Sequence, residues 1–203
     1  MFDDSFLTIE EKSEGIYKEK GSKFISFAFP VKDTDEIKDI IKDIKKEFFD
    51  ARHHCYAYIL GQDKSIFRMN DDGEPSSTGG KPIYGQLLSK DLTNVLVVVV
   101  RYFGGVKLGV SGLIQAYKQA ALDALENAVI IEKTVDEVYG VSFEYILMND
   151  VMRVMKENDL QQMNHRFEND CYLEFVVRKS NSIKVVDSLN FIEGVRVKFL
   201  RLE

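Results

Sequence analysis

Residues Asn94 to Ala121 read NVLVVVVRYFGGVKLGVSGLIQAYKQAA, and the fold turns on how they are read. Val95 to Val100 is an unbroken apolar run, so it does not alternate between a wet face and a dry one; it predicts a central strand buried on both sides. The glycines that follow, Gly104, Gly105, Gly109 and Gly112, open backbone angles closed to other residues, and Ser111 is placed to cap a helix through Tyr117 and Ala121. The predicted unit is strand, glycine loop, helix. Such a unit has a chemical use, because loop amides and a helix N-terminus turn N–H groups outward toward an anion. Arg101 and Lys107 flank the loop, Lys118 follows on the helix, and no Asp or Glu stands between Leu92 and Leu122. The candidate surface for an anion or nucleic acid is therefore Arg101, Gly104, Gly105, Lys107, Gly109, Ser111, Gly112 and Lys118. The competing reading is a tight crossover whose glycines only let the helix pack closely, since the loop is neither GxxxxGK[ST] nor GxGxxG with a ribose-binding acid.

Upstream, DDGEPSSTGGKPI begins at Asp71. Asn, Asp and Gly are ordinary turn formers, with Ser76, Ser77 or Thr78 available as a cap for a helix through Tyr84 and Leu88. Read functionally, Asp71, Asp72 and Glu74 are a carboxylate cluster for magnesium, or for orienting an Arg or Lys of the glycine loop. Before them HHCYAYIL, from His53 to Leu60, alternates as a strand, placing His53 and Cys55 on one face and His54 and Tyr56 on the other. Two ligand-type residues fall short of a zinc site, and the remaining histidine, His165, is distant in sequence, so no metal or cofactor is expected. His53, His54, Asp71, Asp72 and Glu74 form a candidate polar groove. Without GxSxG, SxxK or HExxH beside them, hydrolysis is not the expected chemistry.

The rest of the chain supplies ordinary elements. Gly15 to Pro30 predicts a β-hairpin turning at Gly21-Ser22, and Asp33 or Thr34 caps a helix with Ile37, Ile40, Ile41, Ile44 and Phe48 on its apolar stripe. A short strand is expected around Ser65 to Met69. After Asn127 the pattern becomes β-α-β-β-α-β: strand Tyr139 to Tyr145, a helix capped by Asn149 or Asp150, strands Gln161 to Phe167 and Cys171 to Val177, a helix Ser182 to Leu189 and a strand Gly194 to Leu200. This is the ferredoxin-like order. Tyr172 and Phe175 are three apart and so face opposite sides of their strand, which favours core packing over an RNA-stacking pair. The expected fold class is α+β, with domains at 1–134 and 135–203.

The 203 residues, 45% hydrophobic and 30% charged, suit a folded protein with a real core. A formal net charge of −6 argues against coating nucleic acid by bulk electrostatics and leaves only a localised basic face as a route to RNA or the ribosome. The acidity is shared, since residues 1–130 and 131–203 each carry −3. The start, MFDDSFLTIEEK, is no secretory or transit signal and no apolar run reaches membrane-spanning length, so a cytoplasmic protein without a membrane partner is expected. Cys55 and Cys171, each isolated and in different domains, imply no disulfide framework.

Taken in order, HHCYAY, DDGEPSSTGGKPI and NVLVVVVRYFGGVKLGVSGLIQAY resemble the IMPACT family, in its bacterial YigZ-type branch, over about residues 15 to 125. The resemblance implies an N-terminal domain of the left-handed βαβ type, similar to ribosomal proteins and to the fourth domain of elongation factor G, and a C-terminal domain similar to that factor's fifth. It also implies a theme of translational control, in which eukaryotic members compete for a ribosome-associated activator of an initiation-factor kinase. The sequence departs from the family's usual pattern at Ser76 to Gly80, SSTGG for SGTAG, at Ser111-Gly112 for Gly-Gly, and at Gln115 for Arg; the last removes a cation from the anion surface. Three classes follow: a non-enzymatic translation-associated protein with the ribosome, RNA or a protein as partner; a nucleic-acid or nucleotide-phosphate binder outside translation; and an enzyme at the polar groove.

Overall fold

Val95 to Val100 have no solvent exposure at all, and their place in the sheet explains it. They make up most of β6 (Val95–Tyr102), the middle strand of a five-stranded sheet in the computed structural model, which describes residues 4–202. The strands run β2 (Ser13–Glu19), β3 (Ser22–Pro30), β6, β4 (His53–Leu60), β5 (Ile66–Asn70), with all neighbours antiparallel. Because β3 and β4 both oppose β6, they are parallel to each other, and α1 (Thr34–Glu47) makes the crossover between them. Side chains alternate along β6. Val95, Val97 and Val99 pack with α2 (Gly80–Ser89) and α3 (Gly109–Glu126), whereas Leu96, Val98 and Val100 pack with Ile37 and Ile44 of α1. Each of these valines is buried at a gain of about 1.5–3 kcal/mol relative to leaving it exposed.

Helix placement follows from small and polar residues at the contacts. Ala116, Ala120, Ala121 and Ala124 let α3 approach the sheet closely enough that Ser26 Oγ donates to the Ala120 carbonyl at 2.6 Å and Ser13 Oγ to that of Ala124 at 2.7 Å. Asp33 caps α1, its carboxylate accepting from the amides of Asp35 and Glu36. Two local expectations are corrected. The β2–β3 turn is Lys20-Gly21, with φ of 46° and 78°, so Ser22 already belongs to β3 and pairs with Glu19. A two-residue loop with both angles positive matches the right-handed twist of the strands. Helix α3 begins at Gly109 with Leu108 in the capping position, so Ser111 lies in the first turn and caps nothing.

Residues Phe6–Lys133 form one unit; residues 134–202, with Asp4 and Ser5, form a second. β1 (Ser5–Ile9) and β7 (Ile130–Thr134) pair in a separate two-stranded sheet. In the second unit the order is β8 (Asp136–Glu144), α4 (Met148–Glu157), β9 (Gln161–Arg166), β10 (Asp170–Arg178), α5 (Lys179–Asn190) and β11 (Arg196–Leu202), with sheet order β11-β8-β10-β9. Val141, Phe143, Val151, Met155, Leu173, Phe175 and Leu189 fill its core. Phe175 stacks on Tyr139 at 5.7 Å, while Tyr172 lies against Gly140 on the other face of the sheet. A 3-10 turn at Tyr145–Leu147 precedes α4, leaving Leu147 in the capping position and Asn149 and Asp150 inside the helix. Among the described residues no helix is long and apolar enough to cross a membrane.

Candidate functional site

The loop after β5 is closed by its own acids. Asp71 accepts the amides of Ser77, Gly79 and Gly80 at 2.8, 2.9 and 2.8 Å, which serves the otherwise uncapped start of α2 from outside the helix. Asp72 takes the His54 amide at 2.7 Å and Lys45 Nζ at 2.7 Å. Burial pulls the Asp72 carboxyl upward, but the Lys45 ammonium and the His54 amide outweigh it and hold it below its ordinary value. The loop's carbonyls are tied to β4 as well. Cys55 Sγ donates to the Asp71 carbonyl at 3.0 Å, and His53 Nδ1 lies 2.9 Å from that of Asp72, so Nδ1 carries the proton.

Glu74 points inward. Its Oε1 receives Arg101 Nη1 at 2.5 Å and the Tyr117 hydroxyl at 2.9 Å, with His53 Nε2 at 4.0 Å. Arg101 and Glu74 are both buried, 7% and 4% of their side chains exposed. Register brings them together, since Arg101 stands across from His53 on β4 and from Phe24 on β3. The guanidinium lies 5.5 Å from the Phe24 ring centre and 5.7 Å from that of Phe103, within cation–π range. Its Nε is buried without a hydrogen-bond partner. Burial, with Cys55 and Glu74 nearby, pushes the Tyr117 hydroxyl far up, and burial does the same to the Cys55 thiol. Tyr117 is therefore a donor and Cys55 a protonated thiol, not a thiolate nucleophile.

Beyond Tyr102 the chain leaves the core. Gly104 packs so tightly on the Lys20-Gly21 turn that a Cβ would overlap the backbone of Gly21 and Ser22, and its amide donates to Ser22 Oγ at 3.1 Å. Gly105 and Gly109 have φ of 87° and 73° with open space around them, and Gly112 lies inside α3. Phe103, Val106, Val110 and Ile114 are 39–60% exposed. Lys107, Ser111, Gln115 and Lys118 are exposed beside them, with Val110, Ile114 and Lys118 recurring every four residues along one side of α3.

The sequence-predicted residues thus fall into two sets. Arg101 is corrected from a loop-flanking surface cation to a buried strand residue, because its place on β6 aims it at Glu74. Gly104, Gly105, Lys107, Gly109, Ser111, Gly112 and Lys118 remain on or beside the exposed loop. In the other set, Asp71, Asp72 and Glu74 take separate partners, and among the described residues no group of three or more His, Cys, Asp or Glu is arranged to hold a metal ion. Sequence reasoning missed Tyr117 as a partner of Glu74. A tyrosine on an alanine-rich buried helix face needs a partner for its hydroxyl, and that was the available sign.

Residues 20–125 match the Impact N-terminal domain. The chain is 32% identical over 179 residues to IMPACT family member YvyE of Bacillus subtilis (strain 168), spanning 88% of this chain and 82% of that protein. It is 32% identical over 151 residues to IMPACT family member YigZ of Escherichia coli (strain K12), spanning 73% and 74% respectively. A crystal structure of a hypothetical protein superposes with a TM-score of 0.73 at 27% identity, covering 98% of each chain. On this evidence the chain belongs to the IMPACT family.

Proposed function

We propose that this chain is a non-enzymatic, translation-associated regulatory protein that contacts the ribosome through the Phe103–Leu108 loop and the first turns of α3. One observation carries the reading: next to the fully paired Asp71–Glu74 loop lies a surface whose apolar and cationic side chains stand exposed together. Phe103, Val106, Val110 and Ile114 supply apolar area, Lys107 and Lys118 supply charge, and no acid interrupts them in sequence. Family membership supports the translational theme, which the IMPACT resemblance implies for eukaryotic members. The polar groove supports a scaffold role better than catalysis, because Asp71, Asp72 and Glu74 each hold a structural partner and Cys55 stays protonated.

Co-sedimentation with purified ribosomes across a salt series tests this. Lys107→Ala/Lys118→Ala is the informative variant, since Arg101→Ala would strip the buried Glu74 of its partner and confound folding with binding. The expected result is binding that weakens with salt and drops severalfold in the variant. Ribosome binding by wild type that is indifferent to the variant would remove the loop from the reading.

A further inference from the structure

The tip of the β2–β3 hairpin, which carried no function in the sequence, abuts the glycine loop. Antiparallel register sets Lys18 directly across from Lys23, and Lys23 across from Tyr102. Lys20 stands in the turn itself, next to Gly21, which packs on Gly104, and Lys107 is three residues beyond Gly104, within about 10 Å of chain. All four lysines are exposed, and among the described residues none of them forms an ion pair, unlike Lys12, Lys38, Lys45 and Lys64. The neighbouring carboxylates are engaged elsewhere: Glu19 accepts from the Tyr17 hydroxyl and Asp50 from that of Tyr102. Like charges directly opposite on a sheet destabilise it, so the Lys18 and Lys23 pair is an arrangement that folding alone does not favour.

Resting on the reading of the glycine loop as a partner contact, we propose that Lys18, Lys20, Lys23 and Lys107 form a binding surface for the phosphate backbone of single-stranded RNA. Ammonium groups are point charges suited to phosphate oxygens. The hairpin tip between them, Glu19 to Ser22, offers none of the Trp, Tyr or Arg anchors that carry protein–protein contacts. Partly exposed Tyr102 stands directly across from Lys23 on the same face of the sheet, an aromatic ring beside the lysines, and a cationic track with an aromatic platform is how single strands are held without sequence preference. The surface also answers how a chain of net charge −6 meets a polyanion, by concentrating unpaired cations at one end of one sheet.

The test is fluorescence anisotropy with a labelled polyuridylate of about 20 nucleotides, run beside ribosome co-sedimentation. Four phosphate contacts to a single strand predict a log–log salt slope near −2.8, about a 50-fold loss between 50 and 200 mM salt. The variant Lys18→Gln/Lys20→Asn/Lys23→Gln should flatten that slope by about 2 and lose roughly 10-fold or more in affinity at low salt. Its thermal midpoint should hold or rise, because the like-charge pair is gone and Asn-Gly is the preferred two-residue hairpin turn. RNA binding unchanged in this variant would overturn the hairpin surface, and a loss confined to Lys107→Ala/Lys118→Ala would leave the loop reading standing. Wild type that binds ribosomes but not the polyuridylate would overturn the RNA assignment in favour of an acidic protein partner. Wild type that binds neither would overturn both readings.

Discussion

Two glycine-containing loops lie at the same end of the five-stranded sheet, one entering α2 and the other entering α3, and they use similar residues in opposite ways. In the loop from Asn70 to Gly80, each carboxylate is bound by backbone amides, a lysine or a buried arginine and tyrosine. In the loop from Phe103 to Leu108, continuing into the helix, lysines and apolar side chains face solvent. Glycine and charge therefore do not mark a functional loop by themselves. What separates the two is whether the polar groups have already found partners inside the protein, because a satisfied group has little left to offer a ligand.

The largest effect expected from this contrast comes from opening the closed loop. Glu74→Ala would leave Arg101 charged and buried, with its Nε already unpartnered, and Tyr117 without its acceptor. The expected loss is about 3–5 kcal/mol in a urea titration. Replacing both ion partners by apolar residues, Glu74→Leu/Arg101→Met, should recover much of that loss. A cost below about 1 kcal/mol for the single change, the range of exposed pairs, would show that the loop is no more closed than its neighbour.

This pair also marks what the sequence made legible. The Val95–Val100 run was readable because six apolar residues in succession leave a strand no wet face, so its burial follows from composition. The β-α-β-β-α-β order was readable from period alone. The Glu74–Arg101 contact was not, since the residues are 27 apart and meet only because β4 and β6 pair His53 with Arg101. The hairpin lysines depend on register in the same way. A turn at Gly21-Ser22 would set Lys20 across from Lys23, whereas the observed turn sets Lys18 there. Local chemistry misled at Ser111, a good cap residue that lies inside the first turn because the helix already begins at Gly109.

A smaller and pH-dependent effect distinguishes the loops next. The Asp72 carboxyl is held below its ordinary 3.8 in the folded protein. A depressed folded value means the unfolded chain binds the proton first, so this stabilisation is complete above the ordinary value and is lost as pH falls through the folded one. Asp72→Asn should therefore be less stable than wild type at neutral pH, by about 0.5–1 kcal/mol after solvent screening, with the gap closing toward strong acid. A gap independent of pH would mean that the Lys45 and His54 contacts do not depend on the charge of Asp72.

The smallest stability effect belongs to the open loop, and its smallness is the point. Lys107, Ser111 and Lys118 are exposed, Ser111 caps nothing, and neither lysine forms an ion pair among the described residues. Replacing all three by alanine should leave unfolding stability within about 0.5 kcal/mol per site. A surface that can lose its charges without the fold noticing is one whose charges are available to something else. If the triple variant unfolded substantially more easily, those side chains would have internal partners after all, and the open loop would resemble the closed one; if stability holds while ribosome binding falls, the two loops differ in kind.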